Sequence, residues 1–155
     1  MFSITDSHLG EQASHLVAGE TNKIANLSNL AALLMHSIKG LNWAGFYLVD
    51  APEELVLGPF QGLPACIRIP FAKGVCGAAA RLQQTQLVGD VLRFEGHIAC
   101  DVNTRSELVV PIVVAGSTVA VIDLDSPHTG HFTNEHAEQV EAVAQLVAQH
   151  WLNWH

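Results

Sequence analysis

Positive charge is scarce in this sequence. Seven lysines and arginines stand against fifteen aspartates and glutamates, a formal net charge of −8. That balance opposes nucleic acids and anionic membrane surfaces, which need basic patches, so neither partner is expected. Long hydrophobic runs are also missing. No stretch of about 18 apolar residues occurs, so nothing reads as a membrane span. Met1-Phe-Ser-Ile-Thr-Asp6 has no basic flank or long apolar segment and does not read as a secretory signal. A cytoplasmic location is the resulting expectation, and there a disulfide is more often catalytic than structural. Cysteine is limited to Cys66, Cys76 and Cys100, with no C-x-x-C pair, which gives a structural zinc site little support. The glycines form no Walker or dinucleotide fingerprint. Neither a metal nor a cofactor is expected. Repeats, linkers and low-complexity segments are absent. With 155 residues, 49% of them apolar, the chain is expected to be one domain over residues 1–155 with a sizeable core.

Hydrophobic spacing divides the chain into elements. A short helix is expected over 6–18, opened by Asp6, with Leu9, Ala13, Leu16 and Val17 on one face. A stronger one follows over 22–39, capped by Thr21 and ended by Gly40, with Ile24, Leu27, Leu30, Ala31, Leu34 and Ile38 at helical spacing. Trp43 to Val49 then reads as a strand. Asp50 to Glu53 is a turn, and Leu55 to Phe60 returns as the second arm of a hairpin, broken at Gln61 to Pro64. Cys66 to Ile69 is extended, and Gly74 opens an Ala-rich helix over 75–83. Leu87 to Val91 is briefly extended. Leu108–Val114 and Ser117–Leu124 form a hairpin through Ala115-Gly116. Asp125 to Gly130 is a loop, and Thr133 caps the last helix. Strand pairs on tight turns with flanking helices argue for an α+β fold built on a mainly antiparallel sheet.

The stretch Gly96 to Glu107 lacks either periodicity and holds Cys100 among polar neighbours. A thiol in such a loop can be wetted, ionised and attacked, which marks Cys100 as a candidate redox nucleophile. His97 is available as its base, although nothing in the spacing requires it. Asp123 and Asp125 share a strand face about 7 Å apart along the backbone. Confining both charges raises at least one pKa toward neutrality, where a carboxyl can act as an acid. The alternative for Asp125 is a strand end passing into solvent ahead of Pro127. Trp43 and Tyr47 also share a face and could wall a pocket, or be ordinary core. Cys76, among small apolar residues, reads as a buried inert thiol. Cys66 reads equally as a strand-end core residue. His128, His131 and His136 are the one histidine cluster and read as solvent-exposed side chains.

Several motifs together resemble the free methionine-(R)-sulfoxide reductases, enzymes with the GAF fold. They are Asn42-Trp-Ala-Gly-Phe-Tyr47, Leu57-Gly-Pro-Phe-Gln-Gly62, Cys66, Gly74-Val-Cys-Gly77, His97-Ile-Ala-Cys-Asp101, Ser106-Glu107 and Ile122-Asp-Leu-Asp-Ser126. The resemblance implies a GAF-like sheet with the N- and C-terminal helices on one face, and the active-site loops and a short helix on the other. It implies Cys100 as catalytic and Cys66 as resolving cysteine, with alpha carbons about 4.4–6.8 Å apart when oxidised. Glu107, Asp123 and Asp125 match the pocket carboxylates. Trp43 and Tyr47 match the aromatics around the methyl-sulfoxide end, and Cys76 a cysteine of secondary role. Free methionine sulfoxide is the implied substrate and thioredoxin the implied reductant. Val102-Asn-Thr-Arg105 departs from the small residues many relatives carry there. The alternative is a non-catalytic GAF sensory module that binds a small ligand. The apolar faces of the first and last helices could form a homodimer, or equally pack on the sheet.

Overall fold

The structure, a computed structural model, describes residues 8–155. The expected helix opening at Asp6 lies outside the described residues. Helix α1 spans Leu9–Val17 and α2 spans Lys23–Ser37. Asn22, not Thr21, caps α2, because its side chain accepts the Ala25 N–H at 2.9 Å. The helix ends before Gly40: Ile38 is its C-cap, and Gly40 makes the following turn at φ +82°. Ile24, expected on the buried face, is 71% exposed, and Leu33 is buried instead.

The period then changes to that of strands. β1 (Trp43–Ala51) and β2 (Glu54–Gly62) form the expected antiparallel hairpin, and β3 (Arg68–Pro70) pairs with β2. The expected break at Gln61 comes later, since Ala44 and Trp43 still pair with Gln61 and Gly62. Helix α3 spans Gly74–Leu82. β4 is short (Gln86–Val88), and a 3-10 turn over Val91–Arg93 replaces the rest of that expected extended segment. β5 (Ser106–Val114) and β6 (Ser117–Ser126) turn at Ala115 and Gly116, both at positive φ, as a two-residue hairpin requires. Thr133 caps α4 (Asn134–His150) as expected, within a reciprocal pair with His136.

The strands make one six-stranded antiparallel sheet in the order β3-β2-β1-β6-β5-β4. Alternation sends Ala44, Phe46, Leu108, Val110, Ile112, Ala120, Ile122 and Leu124 to one face, where α1, α2 and α4 cover them. The other face carries Trp43, Tyr47, Val109 and Val121, against α3 and the segments around Cys66 and Phe94. This is the α+β arrangement expected, with the terminal helices on one side and a short helix and loops on the other.

Candidate active site

The site begins with strand register. Trp43 on β1 lies opposite Asp125 on β6, and Asp125 opposite Glu107 on β5. In the next row of that face Gly45, Asp123 and Val109 align. Three carboxyl groups therefore stand on two adjacent rows of one sheet face. They are only 7%, 5% and 9% exposed for Glu107, Asp123 and Asp125. Of the two readings of Asp125, strand face beside Asp123 or start of a loop, the first holds, because β6 runs on through Ser126. The Asn42 N–H donates to the Asp125 carbonyl at 2.9 Å and the Arg105 N–H to that of Ser126 at 2.8 Å, which extends the ladder. Glu107 likewise belongs to β5 rather than to the irregular loop. Gly45 is required by the close approach of β2, because a Cβ there would meet that of Phe60 at 2.4 Å.

Burial decides the charge of this cluster. Glu107 is pushed well above the usual carboxyl range, first by burial and then by Asp123 and Asp125. Asp125 is also held well above it, by burial and Asp123, against a lowering hydrogen bond with Glu107. Asp123 Oδ1 and Asp125 Oδ1 are buried without hydrogen-bond partners. Cys76, at the start of α3, is 4% exposed. Its Sγ donates toward Glu107 Oε2 at 4.0 Å, and burial first, then Asp123, keep the thiol protonated. Its chain neighbours are small and apolar, as the sequence reads, but its thiol faces acids.

The aromatics do two things. Trp43 stacks between Tyr47 and Phe60, with ring centroids 5.8 and 5.1 Å away. Their polar atoms hold the segment that carries Cys66: Trp43 Nε1–H donates to the Leu63 carbonyl at 3.1 Å, and the Tyr47 hydroxyl to the Cys66 carbonyl at 2.9 Å. Burial raises the Tyr47 hydroxyl further, so it stays a donor. Both readings of this pair, core and pocket wall, are realised, since both residues are 2% exposed and line the cavity.

Cys100 is joined to Cys66 by a disulfide with alpha carbons 5.4 Å apart. Both residues are half-buried. The loop bearing Cys100 is tied at several points. Asn42 Nδ2 donates to Asp101 Oδ2 at 3.0 Å and to Thr104 Oγ1 at 3.1 Å, and the Gly74 N–H donates to the Gly96 carbonyl at 3.0 Å. Asp101 also accepts the Asn103 N–H at 2.9 Å, which closes the turn after Cys100.

Between sheet, α3 and loop lies a cavity enclosing about 530 Å³, part of it open to solvent. Glu107, Asp123, Asp125 and Cys76 line it, as do Trp43, Tyr47 and Cys100. Cys66 reaches it only through its bond to Cys100 and through Ala65, which is in the lining.

Residues 11–151 match the model of the GAF domain family. The chain is 48% identical over 141 residues to the free methionine-R-sulfoxide reductase of Escherichia coli K12, covering 91% of this chain and 83% of that protein. It is also 48% identical, over 136 residues, to the enzyme of that name from Saccharomyces cerevisiae, covering 83% of this chain and 76% of that one. The chain belongs to the free methionine-R-sulfoxide reductase family of GAF domains. A solved Neisseria meningitidis reductase of this family, in complex with its substrate, superposes with a TM-score of 0.91 at 42% identity. That match covers 96% of this chain and 89% of the other.

In a free methionine-R-sulfoxide reductase of this sequence, the supporting residues have places in the motifs but no role that local sequence assigns. Asn42 was visible only as a motif letter, and its grip on the Cys100 loop spans 59 residues to Asp101. Ile98, Asp101 and Thr104 line the cavity unheralded by any periodicity. His97, which opens the Cys100 motif and reads as its possible base, also lines it. Its Nδ1 is buried without a partner, and burial lowers its pKa. His128, His131 and His136 sit together, their rings 6.0 Å apart pairwise through His131, away from the cavity lining. His128 is exposed, whereas His131 and His136 are half-buried, and His131 Nε2 lies 2.6 Å from the Lys39 carbonyl.

Proposed function

We propose that this protein reduces free L-methionine-(R)-S-oxide to methionine through a thiol cycle. The observation that carries the reading is the Cys66–Cys100 disulfide at the mouth of a cavity floored by buried carboxyls. The relatives' names supply the substrate.

In the reduced protein the Cys100 thiolate attacks the sulfoxide sulfur. A sulfoxide oxygen leaves sulfur only once protonated, and a carboxyl that is neutral at pH 7 can supply that proton. Glu107 and Asp125, both held well above the usual carboxyl range by burial, are the candidates here. Methionine departs and Cys100 keeps the oxygen as a sulfenic acid. The Cys66 thiol condenses with it, releasing water and forming the disulfide. A dithiol protein, thioredoxin in this reading, exchanges with that disulfide and returns both thiols. Asp123, with an unpartnered buried oxygen, suits the ammonium of a free amino acid. Trp43 and Tyr47 present ring surface to the methyl-sulfur end, and Cys76 acts as a neutral donor to Glu107. The cycle needs a compartment that regenerates thiols, which favours the cytoplasm. A homodimer through the terminal helices is not needed for any step; α1 packs on α4 and α2, and α4 on the sheet.

The test is a thiol count. Reduced protein mixed with methionine-(R)-sulfoxide should lose two thiols per chain and release one methionine. Cys100→Ser should abolish methionine release, whereas Cys66→Ser should allow one turnover and then stall. Turnover by Cys100→Ser with a thioredoxin system would falsify the assignment. Saturable binding without thiol loss would indicate a sensory module instead.

A further inference from the structure

Three potential metal ligands meet at the floor of the cavity. Cys76 Sγ, a Glu107 carboxylate oxygen and an Asp123 carboxylate oxygen all lie within 4.8 Å of one another, and all three residues are buried. Among the described residues, no lysine or arginine forms an ion pair with either acid. Asp123 is 5% exposed, lines the cavity, and keeps Oδ1 without a hydrogen-bond partner. This buried oxygen accepts no hydrogen bond, and a cation is one way to satisfy it.

We propose that Cys76, Glu107 and Asp123 form a binding site for a thiophilic divalent cation of the zinc and cadmium class. The donor set selects that class. One sulfur with two oxygens suits a borderline-soft ion, whereas magnesium and calcium favour six or more oxygens. A tetrahedral site with bonds of about 2.0–2.3 Å has edges of about 3.3–3.8 Å, so the three atoms need close by only about an ångström. Asp125, opposite Glu107 and one row from Asp123, has its own unpartnered Oδ1 and can complete the set, or a water can. The ion replaces the protons on the Cys76 thiol and on Glu107, and offsets the negative charge these ligands and Asp123 then carry. Its place is also that given above to the substrate's ammonium. Occupancy therefore competes with the amino acid; this consequence, unlike the binding itself, rests on the proposed reductase activity.

The disulfide makes the test clean. With Cys66 and Cys100 joined, Cys76 is the sole thiol of the chain's three cysteines. Tag-free oxidised protein is titrated with cadmium. The expected result is an ultraviolet thiolate-to-cadmium band that saturates at one ion per chain. It should vanish in Cys76→Ser and need at least tenfold more cadmium in Asp123→Asn. Zinc should raise the melting temperature of the wild type but not of Cys76→Ser. One equivalent of zinc should also protect Cys76 of the wild-type protein from alkylation, a measurement that needs no variant. No band in the wild type, a band that survives Cys76→Ser, or alkylation unaffected by zinc overturns the site. Free methionine should displace cadmium competitively, and binding indifferent to methionine refutes the overlap. The thiol count with sulfoxide uses no metal, so failure of the reductase reading and failure of this site are told apart.

Discussion

The two faces of the sheet are built on opposite rules. Beneath α1, α2 and α4 the face is built of apolar side chains: Phe46, Leu108, Ile112, Ala120, Ile122 and Leu124 are each fully buried. On the other face the same strands place Glu107, Asp123 and Asp125, beside stacked aromatics and a thiol. One face gains stability by removing apolar area from water. The other holds buried carboxyls, two of them without a partner for one oxygen, which lowers stability. Such a cost persists where chemistry needs it, so the contrast locates the site more securely than any single residue. Because β5 and β6 serve both faces, the apolar side supplies the rigidity that keeps the acidic side in register.

The contrast can be broken one face at a time. The largest effect is expected for Glu107→Gln. Loss of an acid–base group typically slows turnover by about 10²–10⁴-fold. The variant should fold normally by circular dichroism while methionine release under multiple turnover collapses. Phe46→Ala tests the opposite face. Emptying a fully buried aromatic site should cost about 3–5 kcal/mol in urea unfolding, with no change in the order of thiol loss in the molecules still folded. Wild-type turnover by Glu107→Gln together with stable Phe46→Ala would dissolve the distinction.

Asn42→Ala should have an intermediate effect. It removes both Nδ2 bonds to the Cys100 loop and should cost about 1–3 kcal/mol. Because the loop and not the core loosens, disulfide formation after the first turnover should slow, with kcat falling more than KM rises. Equal loss in Asn42→Ala and in a core variant of matched stability would argue against that link.

Smaller and sharper is the pH dependence of stability. Glu107 and Asp125 keep their protons in the folded state to higher pH than in the unfolded chain. Their contribution is therefore fully present below the ordinary carboxyl pKa, about 4. It is lost as pH rises through the raised folded values, a tenfold difference in proton affinity being worth about 1.4 kcal/mol. Glu107→Gln, which cannot ionise, should gain on the wild type from pH 5 to pH 8 by at least about 1 kcal/mol. A difference in unfolding free energy that stays flat across that range would show that Glu107 is not the group responsible.

Much of the framework was legible because it depends on local periodicity. The helical spacing of Leu27, Leu30, Ala31 and Leu34, the alternation in β1, and the Ala115-Gly116 turn each reflect forces acting within a few residues. Misreadings came where tertiary contacts outvote local signals. Asp125 and Ser126 look like a loop until Asn42 and Arg105 extend the ladder to them. Ile24 fits the helical stripe but stands 71% exposed in the first turn of α2, while Leu33 is buried further along.

The candidate site divides in the same way. Residue types and motif spacing, read through the family resemblance, singled out Cys66, Cys100 and the three carboxyls from the sequence itself. The residue types and their order already contain the chemistry available: thiols that can be oxidised, acids that can hold a proton, rings that can wall a pocket. Only the tertiary structure decided which of these meet. Register across β1, β6 and β5 put three acids on adjacent rows, and burial raised Glu107 and Asp125. The same packing turned the thiol of Cys76 toward those acids and set Asn42 against Asp101. Pairing strands far apart in sequence, and the low dielectric that follows from burying them, are properties of the assembled sheet, so no local pattern could carry them.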